Sequence, residues 1–170
     1  MAVLTRALMA AAIIGWAGAA QAHVSADPAM AEAGAYQVVR FRVGHGCDDS
    51  QATTGLRIEI PPGVAAARPQ PKTGWSLEIE SGQGPDGKSA VRAITWRGRL
   101  PADQFDEFAV LFHLPATSGP LYFPAVQTCG PQENRWTEIP DPGGSRPPSS
   151  RPAPVLHLMP AAAPSSGHQH

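Results

Sequence analysis

The sequence lacks an excess of charge of either sign, because 13 basic and 14 acidic side chains give a formal net charge of −1. A near-neutral protein lacks the excess of positive charge that attracts nucleic acid or anionic lipid, so we expect neither as a partner. After residue 22 the sequence also lacks any apolar run of the roughly 20 residues that a membrane helix needs. We therefore expect no membrane insertion beyond that point. Neither a nucleophile elbow nor a phosphate-binding glycine loop occurs, which argues against the enzymes built on those motifs.

The first 22 residues have the pattern of a secretory signal peptide. Arg6 precedes an apolar stretch at 7–18, and residues 20–22 form a small-x-small cleavage motif. Cleavage there would start the mature chain at His23 and leave about 150 residues, enough for one domain with a real core. We expect export across the inner membrane to the periplasm. The alternative is an uncleaved membrane anchor.

Only two cysteines are present, Cys47 and Cys129, and both lie in the part predicted to be exported. An even count in an oxidising compartment favours one disulfide. Closing a loop of that size should contribute on the order of 4–5 kcal/mol to stability in the chain-entropy model. The alternative is that the two thiols are soft ligands for copper.

Long segments with helical periodicity are missing as well. Their place is taken by short runs of alternating apolar and polar residues, separated by glycine and proline, which predict an all-β antiparallel sandwich in a single domain. The runs assigned to strands are 36–43, 56–60, 75–80, 90–97, 107–114, 121–128 and 135–139. Residues 75–80 and 90–97 flank turn residues and should form a hairpin. Residues 107–114 should pair with 121–128, where Pro124 marks an edge or a bulge.

The remaining segments are predicted to be irregular. The residues around Pro28 should form a polar loop, and 141–154 should form a proline-rich, mobile linker. A further strand can form at 155–159, and the tail at 160–170 is expected to be disordered. His168 and His170 in that tail could capture copper weakly, or they could be incidental residues of a variable tail.

A mature chain that begins with His23 carries a metal chelator at its terminus. The α-amino nitrogen and the ring Nδ1 can close one chelate ring on a single ion. The α-amino pKa is about 7.7–8, so deprotonation near neutral pH costs little. An amine and an imidazole together form a nitrogen donor set, which favours copper among divalent ions.

Several short motifs occur in an order that resembles the YcnI-like copper-binding domain family. They are His23-Val24, the loop 44–48, Thr53-Thr54, 60–64, 71–75, 105–108, 127–129 and 135–140. The resemblance runs from residue 23 to about residue 140, and we take that range as the domain.

The resemblance implies an immunoglobulin-like or cupredoxin-like sandwich that holds Cu(II) through a single-histidine brace. It assigns His23 as the source of two nitrogen ligands and Trp136 as the tryptophan beside the metal. We assign the accompanying carboxylate to Asp48, an acidic residue of the loop that follows the run at 36–43, and we expect its neighbour Asp49 to be a turn residue. The family is linked to copper resistance and delivery, so we expect a metallochaperone or buffer that works with other exported or membrane copper-handling proteins.

Each assignment has an alternative. Asp48 could only stabilise a turn, and Trp136 could be an ordinary core or rim aromatic. A copper-dependent oxidative enzyme would need a second histidine at the site, and His45 or His113 would have to supply it. We expect His45 to be a solvated loop residue and His113 to lie on a sheet face. A third possibility is a structural or adhesion sandwich that binds no metal.

Overall fold

The computed structural model describes residues 23–47, 50–84, 87–141 and 150–161. These residues contain twelve strands. They are β1 (Val24–Asp27), β2 (Met30–Glu32), β3 (Tyr36–Val43), β4 (Thr53–Glu59), β5 (Ala66–Pro69), β6 (Ser76–Gln83), β7 (Ser89–Leu100), β8 (Asp106–His113), β9 (Gly119–Tyr122), β10 (Ala125–Cys129), β11 (Gln132–Trp136) and β12 (Val155–Met159). Within these ranges no helix is long and apolar enough to span a bilayer.

The strands form three sheets around one core. Their orders are β1-β3-β8-β5, β11-β10-β4-β7-β6 and β2-β12-β9. Every pairing between these strands is antiparallel except that of β12 with β2. The predicted all-β antiparallel sandwich is therefore confirmed. The predicted hairpin is confirmed as well, as β6 and β7.

Strict alternation along the strands builds the core. In β3 every second residue from Val39 to Val43 is buried, and the arginines between them are exposed. The largest fully buried side chains include Trp96, Phe41, Phe108, Phe112, Phe123, Leu56, Ile58 and Ile94. Because these side chains come from both large sheets, burial of apolar surface holds the two sheets face to face.

Two prolines mark points where the chain passes from one sheet to another. Pro28, which follows a cis peptide bond, separates β1 from β2, so the predicted polar loop is wrong and the segment contains two strands. Pro124 separates β9 from β10, so the single strand predicted at 121–128 is also wrong. Proline has no N–H to donate to a sheet ladder, and the chain changes sheets at that position. β8 pairs with β3 and β5 instead of with this segment.

The sandwich extends past residue 140. β12 lies between β2 and β9, and its Leu156 and Leu158 are buried. The end of the linker predicted at 141–154 is packed, because Ala153 is 4% exposed and its N–H donates to the carbonyl oxygen of Glu138 at 2.9 Å. The core packing of β12 makes it part of the same domain. Residues 142–149 and 162–170, including His168 and His170, lie outside the described residues.

Candidate metal centre

The first described residue, His23, lies at the end of an edge strand. β1 pairs with β3 so that Val24 is opposite Val43. Continuing this register by one residue brings His23 beside Gly44, where the loop 44–50 begins. His23 and the start of this loop therefore lie next to each other.

A tryptophan from the other large sheet meets His23 at this edge. The ring centroids of His23 and Trp136 are 5.1 Å apart, and the ring planes are inclined by 46°. Trp136 ends β11, the edge strand of the five-stranded sheet, and is only 4% exposed. The imidazole thus rests on an indole that the core holds in place.

A disulfide anchors the loop 44–50 to the same sheet. Cys47 is bonded to Cys129 at the end of β10, with their Cα atoms 5.9 Å apart. The disulfide prediction is confirmed, and these two sulfur atoms are not free thiolate ligands. The Gly46 N–H also donates to the carbonyl oxygen of Ala102 at 3.1 Å, which fixes the loop from its other side.

Two amide side chains, to which the sequence analysis assigned no role, hold the loop backbone. Gln127 Nε2 donates to the carbonyl oxygen of His45 at 2.8 Å and to Thr53 Oγ1 at 2.7 Å. Asn134 Nδ2 donates to the carbonyl oxygen of Cys47 at 3.1 Å. Gln127 and Asn134 are register partners in the β10–β11 hairpin. The available sequence signal was a glutamine between Ala125 and Cys129 on the inward face of a strand, where an apolar residue is usual.

Two of the three predicted site residues are together, and the third is not described. His23 and Trp136 are in ring contact, whereas Asp48 lies outside the described residues, directly after Cys47 in the chain. Among the residues that are described, no group of three or more histidine, cysteine, aspartate or glutamate side chains could hold a metal ion.

The two histidines considered as second ligands occupy different places. His45 belongs to the loop, is partly buried, and has its Nδ1 2.8 Å from the carbonyl oxygen of Gly46. His113 stacks on Tyr36, with ring centroids 4.5 Å apart. Tyr36 and Val43 are the two ends of β3, which an extended chain separates by about 23 Å. His113 therefore lies on a sheet face far from His23, as predicted for it.

Trp136 carries an unsatisfied donor. Its Nε1–H is buried and has no hydrogen-bond partner among the described residues. Leaving a buried donor in this state costs about 1–3 kcal/mol.

The resolved pKa shifts belong to cross-strand ion pairs on the sheet faces. A hydrogen bond from Arg57 to Glu80 raises the pKa of the arginine and lowers the pKa of the glutamate. Arg42 bonds Glu107 with Nη2 at 2.7 Å, which raises the pKa of Arg42. These cross-strand pairs link β4 to the β6–β7 hairpin and β3 to β8.

A pocket lies beside the start of β8, and side chains of its lining contact one another. It has a volume of about 340 Å³ and is lined by residues 70–73 and 106–109 with Trp96. Lys72 Nζ lies 2.6 Å from Asp106 Oδ1 and 5.0 Å from the centre of the Phe108 ring. Lys72 thus links the segment after β5 to the start of β8, which gives the 71–75 motif a structural role.

Comparison with known proteins agrees with this architecture. A family model described as "Domain of unknown function (DUF1775)" matches residues 23–158. The chain belongs to this family. The match begins at His23 and ends within β12, at Leu158.

Two solved structures are similar to the chain. A crystal structure of an uncharacterized protein from Nocardia farcinica, described as an immunoglobulin-like fold, is 34% identical. The alignment covers 82% of this chain and 99% of that chain, with a TM-score of 0.63, which confirms the immunoglobulin-like sandwich. The seventh ScaB type I cohesin from Pseudobacteroides cellulosolvens is 11% identical over 87% of this chain and 97% of its own, with a TM-score of 0.41, too low to support an argument. No curated protein matches the sequence.

Proposed function

We propose that this protein is an exported, YcnI-like copper carrier that holds Cu(II) through His23 after removal of residues 1–22. It acts in the periplasm as a buffer or metallochaperone and passes the ion to other exported or membrane copper-handling proteins. It is not an enzyme, and copper is its cargo.

The ring contact between His23 and Trp136 is the observation that carries this proposal. An N-terminal histidine in an unstructured leader would be a weak, mobile chelator. Here the histidine directly precedes β1, and its imidazole rests on a buried indole. Fixing a ligand before the ion arrives removes an ordering cost from binding, so the same donors bind more tightly.

Each residue has a distinct task in the proposed site. The α-amine and Nδ1 of His23 supply two nitrogen ligands, and Asp48 supplies a carboxylate from the loop. The indole of Trp136 covers one side of the site and limits access of water. Gln127 and Asn134 hold the backbone of residues 45–47, which keeps the loop beside His23.

The distance of His113 from the site argues against an oxidative enzyme with a two-histidine brace. His113 stacks on Tyr36 at the far end of β3, so it cannot share an ion with His23. His45 is then the histidine of the loop that such an enzyme would have to use. The enzyme alternative therefore depends on one residue and can be tested by replacing it.

The test compares two substitutions in a chain released with His23 at its terminus. His23→Ala should lower Cu(II) affinity by a factor on the order of 10²–10⁴, because both arms of a chelate must be present for the gain in effective concentration. His45→Gln should change the affinity by less than about threefold, and His113→Gln serves as the matched control. Calorimetry gives the affinities, and electron paramagnetic resonance reports the number of bound imidazoles.

The opposite outcomes would overturn the proposal. Unchanged Cu(II) binding in the His23→Ala variant would remove the site from the N-terminus. Two imidazoles in the spectrum, with copper-dependent hydrogen peroxide formation from ascorbate and O₂ that His45→Gln abolishes, would favour the enzyme. Absence of Cu(II) binding by the released chain would favour a structural sandwich.

A further inference from the structure

The small sheet β2-β12-β9 has one face on the core and one face in solvent. Leu156 and Leu158 of β12 point inward and are buried. The residues between and beside them point outward. Met30 of β2 is 62% exposed, Met159 of β12 is 50% exposed, and His157 of β12 is exposed. We call these three outward side chains the Met30–His157–Met159 face.

Strand register brings the three side chains together. His157 is the register partner of Met30 in the parallel pair β12–β2, and Met159 follows two residues later on the same face. Paired strands lie about 4.8 Å apart, and residues two apart along a strand lie about 6.6 Å apart. Backbone hydrogen bonds of 2.9 Å, from His157 N to the carbonyl of Ala29 and from Ala33 N to the carbonyl of Met159, fix this register.

The composition of this face is unusual for a solvated sheet surface. Alternation along β2 and β12 calls for polar residues at outward positions. Glu32, the register partner of Met159, is such a residue, yet two of the outward residues are methionines. On the other side of His157 its register partner is Pro120, which has no side-chain donor atom. The two thioethers and the imidazole are therefore the soft donors that this part of the sheet offers.

We propose that the Met30–His157–Met159 face is a second metal site, selective for a soft monovalent ion, Cu(I), with Ag(I) as its spectroscopically silent substitute. Thioether ligands select Cu(I), and imidazole suits copper generally. Thioether sulfur is a soft, uncharged donor and therefore favours an ion of low charge, whereas the carboxylate of Glu32, the register partner of Met159 on this face, is a hard donor that suits divalent ions. Methionine has three rotatable bonds, which lets both sulfur atoms converge on an ion beside the ring.

This second site stands on its own residues and does not depend on the proposed function of His23. If both sites exist, the protein separates copper by oxidation state. The nitrogen and oxygen donors at the N-terminus take Cu(II), and the sulfur-rich face takes Cu(I).

The sequence offers a direct test because only two of the four methionines follow residue 22. They are Met30 and Met159. A chain that starts at His23 and carries ¹³C-labelled methionine methyl groups should give two methyl resonances. Titration with Ag(I) should shift both together and saturate at one equivalent. Failure of either resonance to move at excess Ag(I) would overturn the proposal.

Substitutions identify the ligands. Met30→Leu, Met159→Leu and His157→Gln should each weaken Ag(I) binding by at least about tenfold, because one of three ligands is lost. All three positions are exposed, so melting temperature and circular dichroism should not change. His113→Gln is the control histidine. An affinity unchanged by His157→Gln would contradict the three-ligand site.

The His23→Ala variant separates this proposal from the previous one. It should keep the Ag(I)-dependent methyl shifts even where Cu(II) binding is lost. A chain ending at Ala161, which retains all of β12, should behave in the same way and so excludes His168 and His170 as the ligands. Loss of the methyl shifts in either variant would contradict a site formed by strands β2 and β12 alone.

Discussion

The two candidate metal regions are assembled in opposite ways. The site at His23 combines an edge strand of one sheet, an edge strand of another and a disulfide-anchored loop, all distant in sequence. The Met30–His157–Met159 face needs only the register of two neighbouring strands. The first has a buried aromatic wall, whereas the second is open to solvent. One should therefore respond to changes throughout its framework, and the other only to changes in its own ligands.

The difference extends to donor chemistry. At the N-terminus the proposed ligands are two nitrogens and a carboxylate, which bind a divalent ion well. On the small sheet they are two thioethers and an imidazole, which suit a soft monovalent ion. A change that perturbs one region should therefore leave the ion preference of the other unchanged.

Replacing both cysteines should have the largest effect on stability. The Cys47→Ala/Cys129→Ala variant loses the cross-link between the loop and β10, which should cost on the order of 4–5 kcal/mol and lower the melting temperature markedly. One equivalent of Cu(II) should still bind, with reduced affinity, because His23 remains and only the loop is loosened. Chemical unfolding and calorimetry measure the two quantities.

The Ag(I)-dependent methyl shifts provide the contrast for that variant, since β2 and β12 belong to a different sheet from β10, which carries Cys129. They should be unchanged in the folded protein. Complete loss of Cu(II) binding from a double variant that is still folded would contradict the assignment of His23 as the main ligand and move that role to the loop.

A smaller effect is expected from Asn134→Ala. This change removes the hydrogen bond to the carbonyl oxygen of Cys47 and should cost about 1 kcal/mol of stability. Because the loop is then held less firmly, Cu(II) affinity should fall a few-fold. Arg135→Ala is the matched control, since Arg135 lies on the opposite face of β11 and pairs with Glu133 at 3.0 Å. Equal effects of both variants on Cu(II) affinity would mean that Asn134 has no specific role in positioning the loop.

Local patterns predicted the strands that carry strong alternation. The run at 36–43 coincides with β3, and the hairpin of β6 and β7 follows from two runs with turn residues between them. β5 was missed because Ala66–Pro69 is short and contains little apolar surface. The run at 121–128 was predicted as one strand, but it is divided between β9 and β10 because these strands belong to different sheets. A local pattern of apolar and polar residues does not show which sheet a strand joins.

The candidate site was predictable in part. The resemblance pointed to His23 and Trp136, and the ring contact between them agrees with it. Gln127 and Asn134 were missed because their contacts with the loop follow from the β10–β11 register. The Met30–His157–Met159 face was missed for a similar reason, since a parallel pairing joins residues from the two ends of the domain.

The measurement that tests the central claim most directly is Cu(II) binding by two chains that differ by one residue at the N-terminus. One chain starts at His23, and the other keeps a methionine before it. The extra residue converts the α-amine of His23 into an amide and breaks the chelate ring. The account predicts that Cu(II) affinity falls by a factor on the order of 10²–10⁴ and that quenching of tryptophan fluorescence at low Cu(II) is lost. Equal affinity and equal quenching in the two chains would contradict it.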